Sequence, residues 1–190
     1  MTPGTATVAF YGDSYTEGIG ASDPSLRWST IVCAARGWRE HNVSVNGLGF
    51  VRNRVEFGDR DTVQQTIDAR PDIVVVTMGL NDNFAYPLTP AAIREQIGRD
   101  LRRIRSALPD ARLIVVEPFW YTDERPESVP VIIGWVRAAA AAVGADWVPG
   151  ASRWIEGRPE WMASDGLHPN DAGYAELARR MDAALAALGL

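Results

Sequence analysis

The run Asp72-Ile73-Val74-Val75-Val76-Thr77-Met78 constrains the fold more than any other stretch of this sequence. Its centre is continuously apolar and β-branched, with no polar alternation, so a strand formed there must be covered on both faces. Cover on both faces is the property of a central strand in a parallel sheet, and parallel strands require crossover helices. Val8-Ala9-Phe10-Tyr11 and Leu113-Ile114-Val115-Val116 repeat the pattern. Shorter strands are expected at Asn42-Val43-Ser44-Val45-Asn46, which alternates, and at Asp146-Trp147-Val148.

Helical signals fill the gaps. Residues 26–38 read as a helix ending near Gly37, and residues 61–69 as a short one closed off by Pro71. Thr89-Pro90 opens a third, with Thr as N-cap and Pro at the first helical position. Ile93, Ile97, Leu101, Ile104 and Leu108 line its buried face. Residues 130–143 form an alanine-rich helix that Gly144 closes. The last helix begins near Asn170, with Tyr174, Leu177, Met181, Leu185 and Leu188 on one stripe and Gly189 as terminator. Residues 51–60 are polar and arginine-rich without a period, and read as a loop. Strands alternate with helices five times, which gives an α/β fold: a five-stranded parallel sheet between helical layers, a three-layer α/β/α sandwich. With 190 residues, no internal repeat and no linker, the expectation is a single domain over 1–190.

Composition removes several function classes. The net charge of −5 argues against nucleic acid as a partner. All 19 basic residues are arginine, so there is no Schiff-base lysine, no pyridoxal-phosphate lysine and no Walker-type phosphate loop. Cys33 is the single cysteine, which excludes an intramolecular disulfide and a Cys-based zinc site. It lies in an apolar helical stretch and reads as a buried small hydrophobe. No apolar run reaches the length of a membrane span. The first residues lack the basic end and apolar region of a signal peptide. The expectation is a cytoplasmic protein, or a secreted one if a leader preceded this sequence.

In a parallel sheet of this kind, functional residues sit at the carboxyl ends of the strands. Asp13-Ser14 follows the first strand, Gly47-Leu48-Gly49 the second and Gly79-Leu80-Asn81-Asp82 the third. Ser164-Asp165-Gly166-Leu167-His168-Pro169 lies between the fifth strand and the last helix. Of the two histidines, His41 reads as an exposed connector residue. His168 shares a tight segment with Asp165, which can fix the imidazole tautomer while the other ring nitrogen faces Ser14. Ser14 N–H at a helix start, a glycine after the second strand and the Asn81 amide can donate to an oxyanion. Each residue has a plainer role on its own: Gly47 and Gly49 as turn residues, Asn81 in an Asx-turn, Asp82 as an N-cap. Their joint placement on successive strand ends is what points to acyl transfer.

Gly12-Asp13-Ser14, Gly49, Gly79-Leu80-Asn81-Asp82 and Asp165-Gly166-Leu167-His168 resemble, in order and spacing, the sequence blocks of the SGNH, or GDSL, hydrolase family. The resemblance implies a flavodoxin-like three-layer fold and hydrolysis of carboxylic esters through an acyl-serine intermediate, with no metal or cofactor. It makes Ser14 the nucleophile, His168 the base and Asp165 its partner, with Gly49 and Asn81 completing the oxyanion hole. The chain departs from the pattern at Tyr15, where the family usually has leucine, an exchange expected to affect packing beneath the turn. The second block is compressed, so Gly47 is the alternative donor to Gly49. A flavodoxin-type FMN binder and a non-catalytic carbohydrate- or lipid-binding module share the architecture, but neither has a use for the Asp165–His168 pair.

The substrate is read from the residues near the strand ends. Asn83, Phe84 and Tyr86, then Trp120 and Tyr121, then Trp161 and Met162 could wall a pocket or belong to the core. Arg52 and Arg54 could meet an anionic substrate or be solvated. No long insertion builds a lid. The expectation is therefore a small-molecule ester substrate with a short acyl group, such as acetyl on a sugar or other small alcohol. A lysophospholipase- or thioesterase-type activity on longer acyl chains is the alternative.

Overall fold

The computed structural model describes residues 5–56 and 61–190. Five strands, β1 (Thr7–Tyr11), β2 (Arg39–Asn42), β3 (Ile73–Val76), β4 (Arg112–Val116) and β5 (Asp146–Val148), form one sheet in the order β2-β1-β3-β4-β5. Every pairing is parallel; Phe10, for instance, stands between Asn42 of β2 and Val75 of β3. The helices are α1 (Ser14–Glu17), α2 (Trp28–Arg36), α3 (Thr62–Asp68), α4 (Pro90–Ala107), α5 (Ser128–Ala142) and α6 (Asp171–Ala187).

The β-branched strands explain the layers. Successive strand residues point to opposite faces, so each strand feeds two cores. Val8, Phe10, Ile73, Val75, Ile114 and Val116 pack with Trp28 and Val32 of α2 and with Tyr174, Leu177 and Met181 of α6. Tyr11, Val74, Val76, Leu113 and Val115 pack on the other face with Val63 of α3, the Ile93–Ile104 stripe of α4, and Ile132 and Val136 of α5. Cys33 lies in the first core, 3% exposed, and burial pushes its thiol up to about 12. It is a packed hydrophobe, as its sequence neighbours imply.

Several element boundaries differ from expectation. The second strand is Arg39–Asn42, earlier than residues 42–46, and His41 sits within it, exposed, opposite Ala9. Val43 and Val45 still bond to the Phe10 and Gly12 carbonyls, but β1 turns away at Gly12, which ends the ladder. Helix α5 starts at Ser128, two residues before Pro130. Thr89 flanks α4 as expected, yet its hydroxyl donates to the Ala85 carbonyl and caps nothing. Residues 51–56 are loop, as read; residues 57–60 lie outside the described residues.

Strand order reverses between β1 and β3, since β1 has its sequence neighbour β2 on one side and β3 on the other. The loops leaving such a switch point open a crevice at the carboxyl ends of the strands. Ser14 and Asn81 follow the two strands that border it.

Candidate active site

The Ser14 side is fixed by local chemistry. Asp13 is the N-cap of α1, its Oδ1 accepting the Tyr15 N–H at 3.0 Å. Ser14 is the first helical residue, so its N–H belongs to the donors that a helix start leaves without an intrahelical partner. The turn admits no side chain at Gly12: a Cβ there would stand 2.2 Å from Thr77 Oγ1, which pairs with Thr16 Oγ1 at 2.6 Å. Asp13 itself is 1% exposed, and its Oδ2 has no hydrogen-bond partner. Burial raises its carboxyl from 3.8 to about 7, with the nearby Asp82 adding to the effect.

The His168 side is a turn over residues 165–168. His168 Nδ1 lies 2.7 Å from Asp165 Oδ2, and Asp165 Oδ1 accepts the N–H groups of Leu167 (2.9 Å) and His168 (3.0 Å). Those bonds to His168 and Leu167 hold the Asp165 carboxyl down at about 2. The carboxylate is thus ionised across the neutral range and selects the tautomer that keeps Nε2 as the acceptor. His168 is 7% exposed, whereas the Asp165 side chain is 47% exposed. Tyr15, the departure from the family pattern, does more than pack. Its hydroxyl donates to the Leu167 carbonyl at 2.7 Å, joining the nucleophile's helix to the base's turn.

The side that holds Gly49 and Asn81 is assembled from distant segments. Asn81 Nδ2 donates one hydrogen to the Leu48 carbonyl at 3.0 Å, leaving its second amide hydrogen to the site. Gly49 is packed so that a Cβ would stand 2.7 Å from Asp82 Oδ1. Close approach to that carboxylate is why glycine is needed there. Its N–H donates to the Arg52 carbonyl at 2.9 Å, a bond the sequence does not announce. Gly47 takes the left-handed conformation, φ 76°.

Asp82, expected as an N-cap, is fully buried and accepts three N–H groups, from Phe50 (2.7 Å), Val51 (2.8 Å) and Arg52 (3.2 Å). Burial raises its carboxyl, against the pull of those three bonds. A second buried acid holds the same loop. Asp100 of α4 pairs with both guanidinium nitrogens of Arg54, at 2.6 and 3.1 Å, and accepts from Tyr11 Oη at 2.8 Å. Arg54 also donates to the Phe50 carbonyl at 2.9 Å. Arg54 is therefore a half-buried anchor whose guanidinium is engaged by Asp100, while Arg52 is exposed. Sequence reading missed Asp100, although an acid inside the apolar stripe of Ile97, Leu101 and Ile104 is a signal that a buried cation must meet it.

The expected pocket residues divide. Tyr121 lines a cavity of about 570 Å³ together with Asp123, Glu124, Ile155, Arg158, Met162, and the residues Ser164 and Gly166 that flank Asp165. Asn83 bonds to Ser128 Oγ and lines a slot of about 10 Å³ with Gly79, Leu80, Phe119 and Trp120. Phe84 is 47% exposed. Trp161 packs against the first core beneath the Arg158 guanidinium, 5.0 Å from its ring centroid, and does not line the cavity. Tyr86 packs against Trp135 with ring centroids 5.9 Å apart, at the margin of the second core. Among the described residues, no group of three or more His, Cys, Asp or Glu side chains could hold a metal ion. No helix among them is long and apolar enough to cross a membrane.

The model of the GDSL-like lipase/acylhydrolase family matches residues 10–176, from the end of β1 into α6. The chain belongs to that family. It is 34% identical over 190 aligned residues to the GDSL lipase Rv0518 of Mycobacterium tuberculosis (strain ATCC 25618 / H37Rv), covering 92% of this chain and 79% of that one. Among solved structures, it resembles the psychrotrophic esterase EstA from Pseudoalteromonas sp., inhibited by monoethylphosphonate. There the TM-score is 0.74 at 14% identity, over 96% of this chain and 98% of that one. A two-domain esterase active on acetylated mannans superposes with a TM-score of 0.73 at 20% identity, over 95% of this chain and 48% of that one. The chain is thus a GDSL-family serine ester hydrolase on an α/β fold. The flavin-binding and non-catalytic readings fall with that assignment.

Proposed function

We propose that this chain, as one domain, hydrolyses short acyl esters, acetyl foremost, of a polar alcohol such as a sugar. The observation that carries the reading is the contrast between two spaces. The slot lined by Leu80 and Asn83, on the segment that carries Asn81, offers about 10 Å³ and is walled by Phe119, Trp120 and Val129, which suits a methyl group and little more. The cavity beside the Asp165–His168 turn offers about 570 Å³, with Asp123, Glu124 and Arg158 at its wall, which suits a hydroxylated leaving group. That a fold relative acts on acetylated mannans agrees with this division.

In this reading Ser14 Oγ attacks the ester carbonyl carbon while His168 Nε2 takes the hydroxyl proton, and Asp165 stabilises the imidazolium. The carbonyl oxygen becomes an oxyanion held by Ser14 N–H, the free Asn81 amide hydrogen and Gly49 N–H. Gly49 shifts its donor from the Arg52 carbonyl because a bond to a charged oxygen is about twice as strong as one to a neutral carbonyl. Collapse of the tetrahedral intermediate expels the alcohol, which receives the proton from His168. Water then attacks the acyl-serine by the same route and frees the acid. Ser14→Ala should abolish turnover and the acylation burst with p-nitrophenyl acetate; retained turnover rejects the scheme.

The larger cavity also favours a second reading, because Tyr121, Ile155 and Met162 give it an apolar wall able to take a longer acyl chain. A series of p-nitrophenyl esters separates the two. Rates falling from acetate to octanoate support the short-chain reading, and a higher kcat/KM on octanoate overturns it.

A further inference from the structure

Tyr15 stands beside the nucleophile in sequence and beside the base in space. Its ring is fully buried, stacked on Phe119 with centroids 5.5 Å apart and 6.1 Å from the His168 ring. Its backbone N–H is held by the Asp13 cap, so both ends of the residue are fixed. The hydroxyl reaches 2.7 Å to the carbonyl of Leu167, the residue immediately before His168, across 152 positions of sequence. That peptide is pinned at its other end too, because Asp165 Oδ1 accepts the Leu167 N–H. Burial raises the phenol well above its ordinary range, so it stays a neutral donor.

We propose that Tyr15 is a positioning residue: its hydroxyl sets the separation between the Ser14 hydroxyl and the His168 imidazole by holding the Leu167 carbonyl. The inference rests on the reading of Ser14 and His168 as nucleophile and base. Asp165 alone fixes the imidazole only relative to its own turn, which closes on Ala163: its N–H donates to the His168 carbonyl at 2.8 Å and its carbonyl accepts the Gly166 N–H at 3.0 Å. Something must fix the turn relative to α1. The neighbouring backbone helps, since a Cβ on Gly20 would stand 2.4 Å from the Pro169 carbonyl. That is a packing limit, however, and sets no direction. Tyr174 of α6 makes a directed bond to the end of α1, donating to the Ile19 carbonyl at 2.7 Å, but it lies beyond the turn; the Tyr15 bond acts on the turn itself, from a rigid ring to the carbonyl before His168. Nucleophile and base must sit within hydrogen-bond reach for proton transfer, and displacements on the order of 1 Å cost about 10²-fold.

Tyr15→Phe deletes only the hydroxyl and keeps the buried ring. With p-nitrophenyl acetate, kcat should fall about tenfold with KM within about twofold of the parent, because the loss is one of alignment and not of substrate contact. An unchanged kcat overturns the proposal, and so does a change confined to KM. A second readout is independent of activity. The chain has two histidines, so in a sample carrying 13C-labelled histidine the His41 and His168 ring signals report separately. Tyr15→Phe should shift or broaden the His168 Cε1–H signal while leaving that of His41 in place; an unmoved His168 signal overturns the proposal. Turnover surviving in Ser14→Ala would instead reject the reading of the site, and would leave the ring signals untouched.

Discussion

The two sides of the site hold their groups by opposite means. On the base side, one carboxylate, Asp165, organises a turn of its own residues, and its side chain is 47% exposed. On the oxyanion side, two acids with 0% and 1% exposure, Asp82 and Asp100, grip a loop that lies 30 or more positions away in sequence. An exposed carboxylate can be spared by the fold, because water replaces its partners. A buried one cannot, because its removal strands the N–H groups or the guanidinium it served. The same residue type therefore serves chemistry in one place and chain conformation in the other.

The contrast predicts a separation of activity from stability. Asp165→Ala should lower kcat by about 10³–10⁴-fold, the scale of losing the orienting acid of a triad. Its cost in stability should be about 1 kcal/mol or less, as for other exposed turn positions. Thermal melts beside ester assays check this; a fall in Tm comparable to that of a core substitution would erase the distinction. Asn81→Ala, which removes one oxyanion donor, should lower kcat by about 10²–10³-fold. An unchanged rate would take Asn81 out of the site.

Asp82→Asn sharpens the other half. One acceptor oxygen becomes an NH₂ that opposes either the Phe50 N–H, bound at Oδ2, or those of Val51 and Arg52, bound at Oδ1. Stability should drop by about 2–3 kcal/mol, the cost of buried donors left unmatched, with a further loss of kcat as the Gly49 loop loosens. Activity lost at full stability would move Asp82 from scaffold to chemistry. The last effect is one of pH, and it is expected at Asp13. Its folded-state carboxyl titrates near 7 against 3.8 for an ordinary aspartate. The native chain thus binds a proton that the unfolded chain has released. This contribution is full below about 4 and is lost as the pH rises toward 7. Asp13→Asn should flatten that part of the Tm-against-pH curve, and parallel curves for the two proteins would place the proton elsewhere.

The central strands and the Asp165–His168 pairing were legible in sequence because their signals are short-range. Ile73–Val76 carries its burial in its own composition, and Asp165 and His168 are three positions apart. The second strand was not legible, since Arg39-Glu40-His41-Asn42 is a polar edge strand whose partner, β1, supplies the pairing. The Arg54–Asp100 pair spans 46 positions and the Tyr15–Leu167 bond 152, and no local pattern encodes a distance of that kind. Arg54 read as solvated or substrate-facing because an arginine in a loop is usually one or the other. Only the acid within the α4 stripe hinted otherwise.

The burial of Cys33 has a practical consequence. Because the chain's one sulfhydryl is sealed inside the first core, the folded protein presents no thiolate to maleimide dyes at neutral pH. A cysteine introduced at Val55, which is 92% exposed and adjoins the Arg54 anchor, would take a fluorophore at one known position. The loop beside Gly49 could then be watched directly by emission while an ester turns over.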